Sequence, residues 1–256
     1  MKKILSLAAI AIGLTACSGD SDSEQDSAIN PINNVDTSVF LKKSITTHSD
    51  GTIITANYSY DNNKLTLIEY SDGDKDIYHY EDKKINKIEE FRQDELYKTS
   101  LFTYNGGENS DLAILDETFA NGQLQRTTFQ FYTDVNDYSK KANVTKRGAK
   151  YESGIILFNG NNIQSYSILT EGTITNSFTY AFDSKNNPFR NVYHNDILSI
   201  AKQNGGVNNI YSYTKGGAGQ SDGYTSTFEY NEKNFPLKET QTTKDGKATI
   251  IQYFYQ

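Results

Sequence analysis

Apolar and polar positions alternate along much of the chain. In "TIITANYSY" (52–60), Ile54, Ala56, Tyr58 and Tyr60 fall on one side of an extended strand, and Thr55, Asn57 and Ser59 fall on the other. The pattern recurs twenty residues later. Tyr58 matches Tyr78, Tyr60 matches Tyr80, Lys64 matches Lys84, Leu65 matches Ile85, Ile68 matches Ile88 and Glu69 matches Glu89. An aromatic-x-aromatic triplet returns at 102, 129, 178, 211, 228 and 253. The outer positions of the eight triplets hold 16 of the 32 Tyr and Phe residues. A repeat of this length marks a fold built from one supersecondary unit. The dipeptides Asp50-Gly51, Asp72-Gly73, Asn121-Gly122 and Asp245-Gly246 are those favoured in tight hairpins, because they accept positive φ. The unit is strand, short turn, strand, tight turn.

The pattern predicts an all-β fold: an antiparallel meander of a dozen or more strands, forming a strongly curved sheet or an incomplete barrel. A β-sandwich is the alternative. "KKINKIEEF" (83–91) has Ile85, Ile88 and Phe91 at helical spacing, but its copy "KLTLIEY" sits between two turns, so a strand with a bulge is expected. One segment breaks the rhythm. In "NNPFRNVYHNDILSIAKQNGG" (186–206), Asn187 is a candidate N-cap and Pro188 the first helical residue. Phe189, Val192, Tyr193, Ile197, Ile200 and Ala201 follow at helical spacing. A helical insertion near 187–204 is predicted, packed on the sheet.

The N-terminus departs from this in composition. Lys2 and Lys3 precede an apolar run, Ile4 to Leu14, of secretory rather than membrane-spanning length. Then comes Leu14-Thr15-Ala16-Cys17, which resembles a bacterial lipobox. The resemblance implies that residues 1–16 are a lipoprotein signal peptide and that Cys17 becomes the acylated first residue of the mature protein. Cys17 is the only cysteine, so no thiol remains for a disulfide, a zinc site or a nucleophile. Loss of Lys2 and Lys3 leaves 23 basic against 32 acidic residues, a formal charge of −9. That balance, with no basic patch, argues against a nucleic-acid partner. Residues 17–38 carry Asp20, Asp22, Glu24 and Asp26 and no aromatic residue. They read as a solvated tether, reaching about 25 Å as a coil and about 70 Å fully extended. Residues 39–256 form the β-repeat domain.

The Y-x-Y-[DN]-x-x-x-[LI]-x-x-[IL] unit with its trailing Asp-Gly is similar to the YD (Rhs-like) repeat. With the lipobox, the acidic tether and the "NNPF" insertion, the chain resembles Bacteroidetes-type lipoproteins built from such hairpins. Residues 132–177 depart from the unit. The resemblance implies a lipid-anchored β-protein of the outer membrane, exposed at the cell surface. It casts Asp20, Asp22, Glu24 and Asp26 as an export signal, and carries no catalytic residue.

Candidate chemistry is sparse. His48, His79 and His194 form no pair at ligand spacing, so no metal or cofactor is expected. Asp72, Asp74 and Asp76 alternate as in a calcium loop. However, Ile77 and Lys83 stand where an EF-hand needs Gly and Glu, and a charged hairpin turn is the better reading. Glu89-Glu90 could suggest glycosidase carboxylates, but 32 acids make that signal weak. The tyrosine triplets read as core. The expected function is a non-enzymatic binding or structural module, with a glycan or a surface protein as partner. An envelope hydrolase acting on polysaccharide or peptide would instead show a deep pocket with converging carboxylates or a histidine–acid pair. A carrier of lipid-like ligands would require a closed apolar cavity.

Overall fold

The alternation folds as strands throughout. The computed structural model describes residues 39–106, 111–134, 139–171, 173–202, 206–217 and 220–256. Cys17 and the acids Asp20, Asp22, Glu24 and Asp26 lie outside them. In chain order the strands are β1 (Leu41–Thr47), β2 (Ile53–Asp61), β3 (Lys64–Tyr70), β4 (Lys75–Glu81), β5 (Lys84–Arg92) and β6 (Glu95–Tyr104). Then follow β7 (Leu112–Phe119), β8 (Leu124–Thr133), β9 (Lys140–Arg147), β10 (Tyr151–Asn159), β11 (Asn162–Thr170) and β12 (Thr173–Asn186). The one helix among the described residues, α1 (Asn195–Lys202), precedes β13 (Asn208–Gly217), β14 (Gln220–Tyr230), β15 (Pro236–Thr243) and β16 (Ala248–Tyr255).

Each strand pairs antiparallel with its chain neighbours, and β1 pairs with β16, so the sixteen strands close into a barrel. The seam runs from Leu41 opposite Tyr255 to Thr47 opposite Ile250. The Gln256 amide adds a hydrogen bond to the Phe40 carbonyl at 3.0 Å. The sheet therefore curls completely rather than stopping as an incomplete barrel, and it does not split into a sandwich. Closure leaves no edge strand to template another chain.

The aromatic face turns inward. Ala56, Tyr58 and Tyr60 on β2 meet Tyr70, Ile68 and Leu65 on β3, and Tyr78 and Tyr80 on β4 meet Ile88 and Ile85 on β5. These residues belong to one core with Phe102, Leu115, Phe129, Val144 and Ile156. Three hydroxyls tie strand to strand. Tyr60 donates to the Leu41 carbonyl at 2.9 Å, Tyr104 to that of Ile85 at 2.6 Å, and Tyr255 to that of Pro236 at 2.9 Å. Each spans 19 residues, a direct imprint of the repeat. Tyr211 is the exception among the triplets. A register shift between β12 and β13 bulges it out, and it is 46% exposed.

"KKINKIEEF" is strand β5. Tyr80 pairs with Ile85 and His79 with Lys87, leaving Asn86 as an extra residue. The bulge turns Ile85 and Ile88 to the same side, which is why they lie three apart. Thr66 in β3 and Gln164 in β11 are extra at the equivalent places. At the opposite end of the barrel, Gly51, Gly73, Gly122 and Gly246 all have φ between 79° and 92°. Each donates its amide to the residue three before it, as Asp/Asn-Gly hairpin turns require.

Past β12, at the end away from those turns, residues 187–202 and 206–207 fold back inside the barrel. The predicted helix is shorter than expected. Asn187 caps a turn, accepting the Phe189 amide on Oδ1 at 2.9 Å, but regular helix begins only at Asn195. His194, at φ 58°, interrupts the path between them. Tertiary hydrogen bonds hold this non-helical stretch: Asn191 Nδ2 to the Val39 carbonyl, Asn63 Nδ2 to the Asn191 carbonyl, and the Tyr193 amide to the Asn63 carbonyl, all within 2.9 Å. Phe189, Val192, Ile197 and Leu198 are buried in the barrel core. The segment is a plug rather than a cover on an open sheet.

The outer wall is mixed: polar and charged residues carry much of it, with exposed apolar side chains such as Leu101, Ile155, Leu237 and Phe254 among them. Thr55, Asn57 and Ser59 on β2, Lys87 and Glu89 on β5, and Thr225, Thr227 and Glu229 on β14 alternate with the inward residues. His79 Nε2 lies 2.7 Å from Glu89, and ion pairs join Lys87 to Glu89 at 3.1 Å, Arg126 to Asp116 at 2.6 Å and Lys238 to Glu229 at 2.9 Å. Among the described residues no helix is long and apolar enough to cross a membrane.

Candidate binding site in the barrel lumen

The plug divides the lumen. On one side lies a cavity of about 350 Å³ between α1 and the wall from β7 to β13. Its deep lining is apolar: Phe129, Val144, Ile156, Ile163 and Phe182 from the wall, and Ile200 and Ala201 from α1. Glu117, Gln125 and Lys146 lie nearer the tight-turn end of their strands. Tyr180 also lines it, its hydroxyl pushed up to about 12 by burial. On the other side a cavity of about 250 Å³ lies between Asn187, Pro188 and Phe189 of the plug and the wall across the seam. Ile210 borders both.

Buried charges fasten the plug. Lys202, at the end of α1, pairs with Asp76 on β4 at 3.0 Å and with Glu90 on β5 at 2.9 Å. Glu90 also holds Lys98 on β6 at 2.7 Å, and Lys98 reaches Glu117 on β7 at 3.1 Å. Glu117 accepts Gln125 Nε2 at 2.6 Å. The result is an alternating chain of charge inside the wall. Burial raises the Asp76 pKa, outweighing the attraction of Lys202, and its Oδ1 has no hydrogen-bond partner. Burial also works against ionised Glu90, but Lys202 and Lys98 together hold its pKa below the ordinary value. Glu117 is therefore committed. Lys146 has no carboxylate partner among the described residues, although Glu152 stands opposite it in the ladder.

The acids singled out in the sequence disperse. Asp72 accepts the Asp74 amide at 3.2 Å within its turn, Asp74 pairs with Arg92 at 3.2 Å, and Asp76 faces the lumen. No group of three potential ligands that could hold a metal occurs among the described residues. Glu89 points outward to His79 and Lys87, while Glu90 points inward, so they are not a catalytic pair. His48 precedes its turn, donating its amide to Thr52. His79 is on the outer wall, as its place between Tyr78 and Tyr80 predicts. His194 packs edge-on against Tyr104 at 5.6 Å, and burial, aided by Lys84, lowers its pKa against the pull of Asp196. Sequence reasoning missed Glu90, Lys98, Glu117, Lys146, Lys202 and Glu239 as lumen groups. The available signal was phase: each strand member is a charge or carboxylate at an inward position, in step with the aromatic residues.

No protein-family model matches the chain, and no curated protein matches it. Among solved structures the chain is similar to a porin-like protein from Bacteroides uniformis ATCC 8492, with a TM-score of 0.49 and 13% identity over 84% of this chain and 96% of that one. It is also similar to a porin-like protein from Bacteroides vulgatus ATCC 8482, with a TM-score of 0.39 and 11% identity over 85% of this chain and 99% of that one.

Proposed function

We propose that this chain is a lipid-anchored, non-enzymatic binding barrel of the bacterial envelope that holds a small amphipathic molecule in its lumen. The observation that carries the reading is the 350 Å³ cavity, apolar in its depth and bounded by Lys146 toward the tight-turn end. It lies within the usual range of about 300–1,000 Å³ for ligand pockets. An apolar body packs against Phe129, Ile156, Phe182 and Ile200, and an anionic head meets the uncommitted Lys146 ammonium. The lumen carboxylates Asp76, Glu90 and Glu117 are each engaged by lysine and Glu239 by three neutral donors, so none is paired with a second acid or a histidine among the described residues, which favours binding over hydrolysis.

The charged pairs on the outer wall support attachment through a lipid rather than by insertion. A membrane-spanning barrel presents an apolar band outward and polar residues inward. Here ion pairs such as Arg126–Asp116 and Lys238–Glu229 interrupt the outside, where exposed apolar residues are scattered among polar ones, and aromatic residues line the inside. Cys17 supplies the anchor and Asp20, Asp22, Glu24 and Asp26 the export signal to the surface.

Two measurements test this. Cells fed a labelled fatty acid should label the wild-type protein and not Cys17→Ala; equal labelling rejects the anchor. The full-length protein should bind an environment-sensitive fluorescent fatty acid, Lys146→Ala should weaken binding at least tenfold, and Val144→Trp should abolish it. Unchanged binding by both variants removes the ligand from this cavity. Cleavage of an offered polysaccharide or peptide would favour the hydrolase reading.

A further inference from the structure

The second lumen cavity has a different chemistry. Its lining draws six aromatic rings, Tyr58, Tyr70, Phe189, Tyr224, Phe228 and Tyr253, around one charged side chain, Glu239. Glu239 is 7% exposed. Its Oε1 accepts Ser226 Oγ at 2.7 Å and Gln241 Nε2 at 2.9 Å, and its Oε2 accepts the Tyr253 hydroxyl at 2.6 Å. All three donors are neutral. No cation among the described residues pairs with this carboxylate, in contrast to Asp76, Glu90 and Glu117.

A carboxylate has about four acceptor positions. Three are used, leaving one, on a side chain that lines the cavity. Aromatic faces carry negative charge density and attract a cation held over them, most strongly where water is excluded. A buried carboxylate without a counter-charge adds to that attraction, since buried charge calls for a partner. Tyr58 and Phe189 meet edge to face at 5.7 Å, so the plug itself completes the aromatic enclosure. At about 250 Å³ the cavity limits its occupant to a compact molecule.

We infer that this cavity is a site for a small organic cation, an amine or quaternary ammonium group, with Glu239 as counter-charge and the aromatic rings as its cage. The site is separate from the Lys146 cavity, and the inference does not depend on the amphipathic ligand proposed there.

Calorimetry on the full-length protein tests it with two probes: tetramethylammonium, and its neutral isostere neopentane as a competitor. Tetramethylammonium should bind and the isostere should not displace it at equal concentration. Glu239→Gln, which keeps the side-chain shape, should weaken binding at least tenfold, and Phe228→Leu should weaken it severalfold. Thermal melts confirm that each variant is folded. No binding by the folded wild-type protein, equal affinity for the two probes, or unchanged affinity in Glu239→Gln each overturns the inference. Val144→Trp, which blocks the other cavity, should leave tetramethylammonium binding intact. Loss of fatty-acid binding and loss of cation binding are therefore separate outcomes.

Discussion

Individual side chains divide between packing and charge, and the distinction predicts different responses. Tyr58 is enclosed by the core and bonded to Ser44 at 2.9 Å, so Tyr58→Ala should cost about 3 kcal/mol or more in chemical denaturation, as large-to-small core changes do. Tyr60→Phe removes only the bond to the Leu41 carbonyl and should cost about 1 kcal/mol. Asp76 should behave oppositely. Its folded pKa is raised by burial, so the ionised carboxylate subtracts stability at neutral pH. Asp76→Asn should therefore melt at a higher temperature than wild type at neutral pH. The gap should close as pH falls through the raised pKa toward the ordinary 3.8. Glu90, whose folded pKa is lowered, contributes stability above 4.5 that is lost as pH falls through its lowered value. A gap that stays constant across the titration would show that Asp76 is not strained by burial. The inward aromatic residues were legible from period two alone. The lumen charges were not, because partners such as Asp76 and Lys202 lie 126 residues apart and only closure brings them together.

At the level of elements, the strand–turn units were readable because local chemistry and tertiary structure agree. Asp/Asn-Gly pairs make the turns, and the bulges at Thr66 and Asn86 preserve an inward aliphatic spacing that would otherwise suggest a helix. The insertion was readable only in part. Its apolar spacing predicted helix from Asn187, but hydrogen bonds donated by Asn63, Asn191 and Tyr193, the second to the Val39 carbonyl, impose another path as far as His194. Lys202 joins the plug to the wall through two ion pairs. Lys202→Met leaves buried Asp76 without its cation and should cost about 3–5 kcal/mol. Limited proteolysis should then cut first within 187–207. Cleavage at wild-type rates in a variant of unchanged stability would mean that the hydrogen bonds and apolar contacts hold the plug without this ion pair.

For the whole molecule, closure was the feature the sequence left open, since nothing in β1 or β16 alone states that they meet. Fifteen of the sixteen pairings join strands that are consecutive in the chain, and the seam joins its two extremes. That arrangement imposes an order in time. β1 emerges first during synthesis and waits for β16, the last strand made. Until then, every intermediate carries two unpaired edges and an unsealed aromatic interior, the surfaces that drive strand-to-strand aggregation. Deleting residues 248–256 should make that state permanent, seen as self-association by light scattering. A circular permutant opened at Asp245-Gly246, with residues 39 and 256 joined by a short linker, should remain monomeric because its seam is already next to the joint. A chain clipped near its C-terminus is thus more than a shortened version of the protein: it is a different colloid, adhesive where the finished molecule is inert.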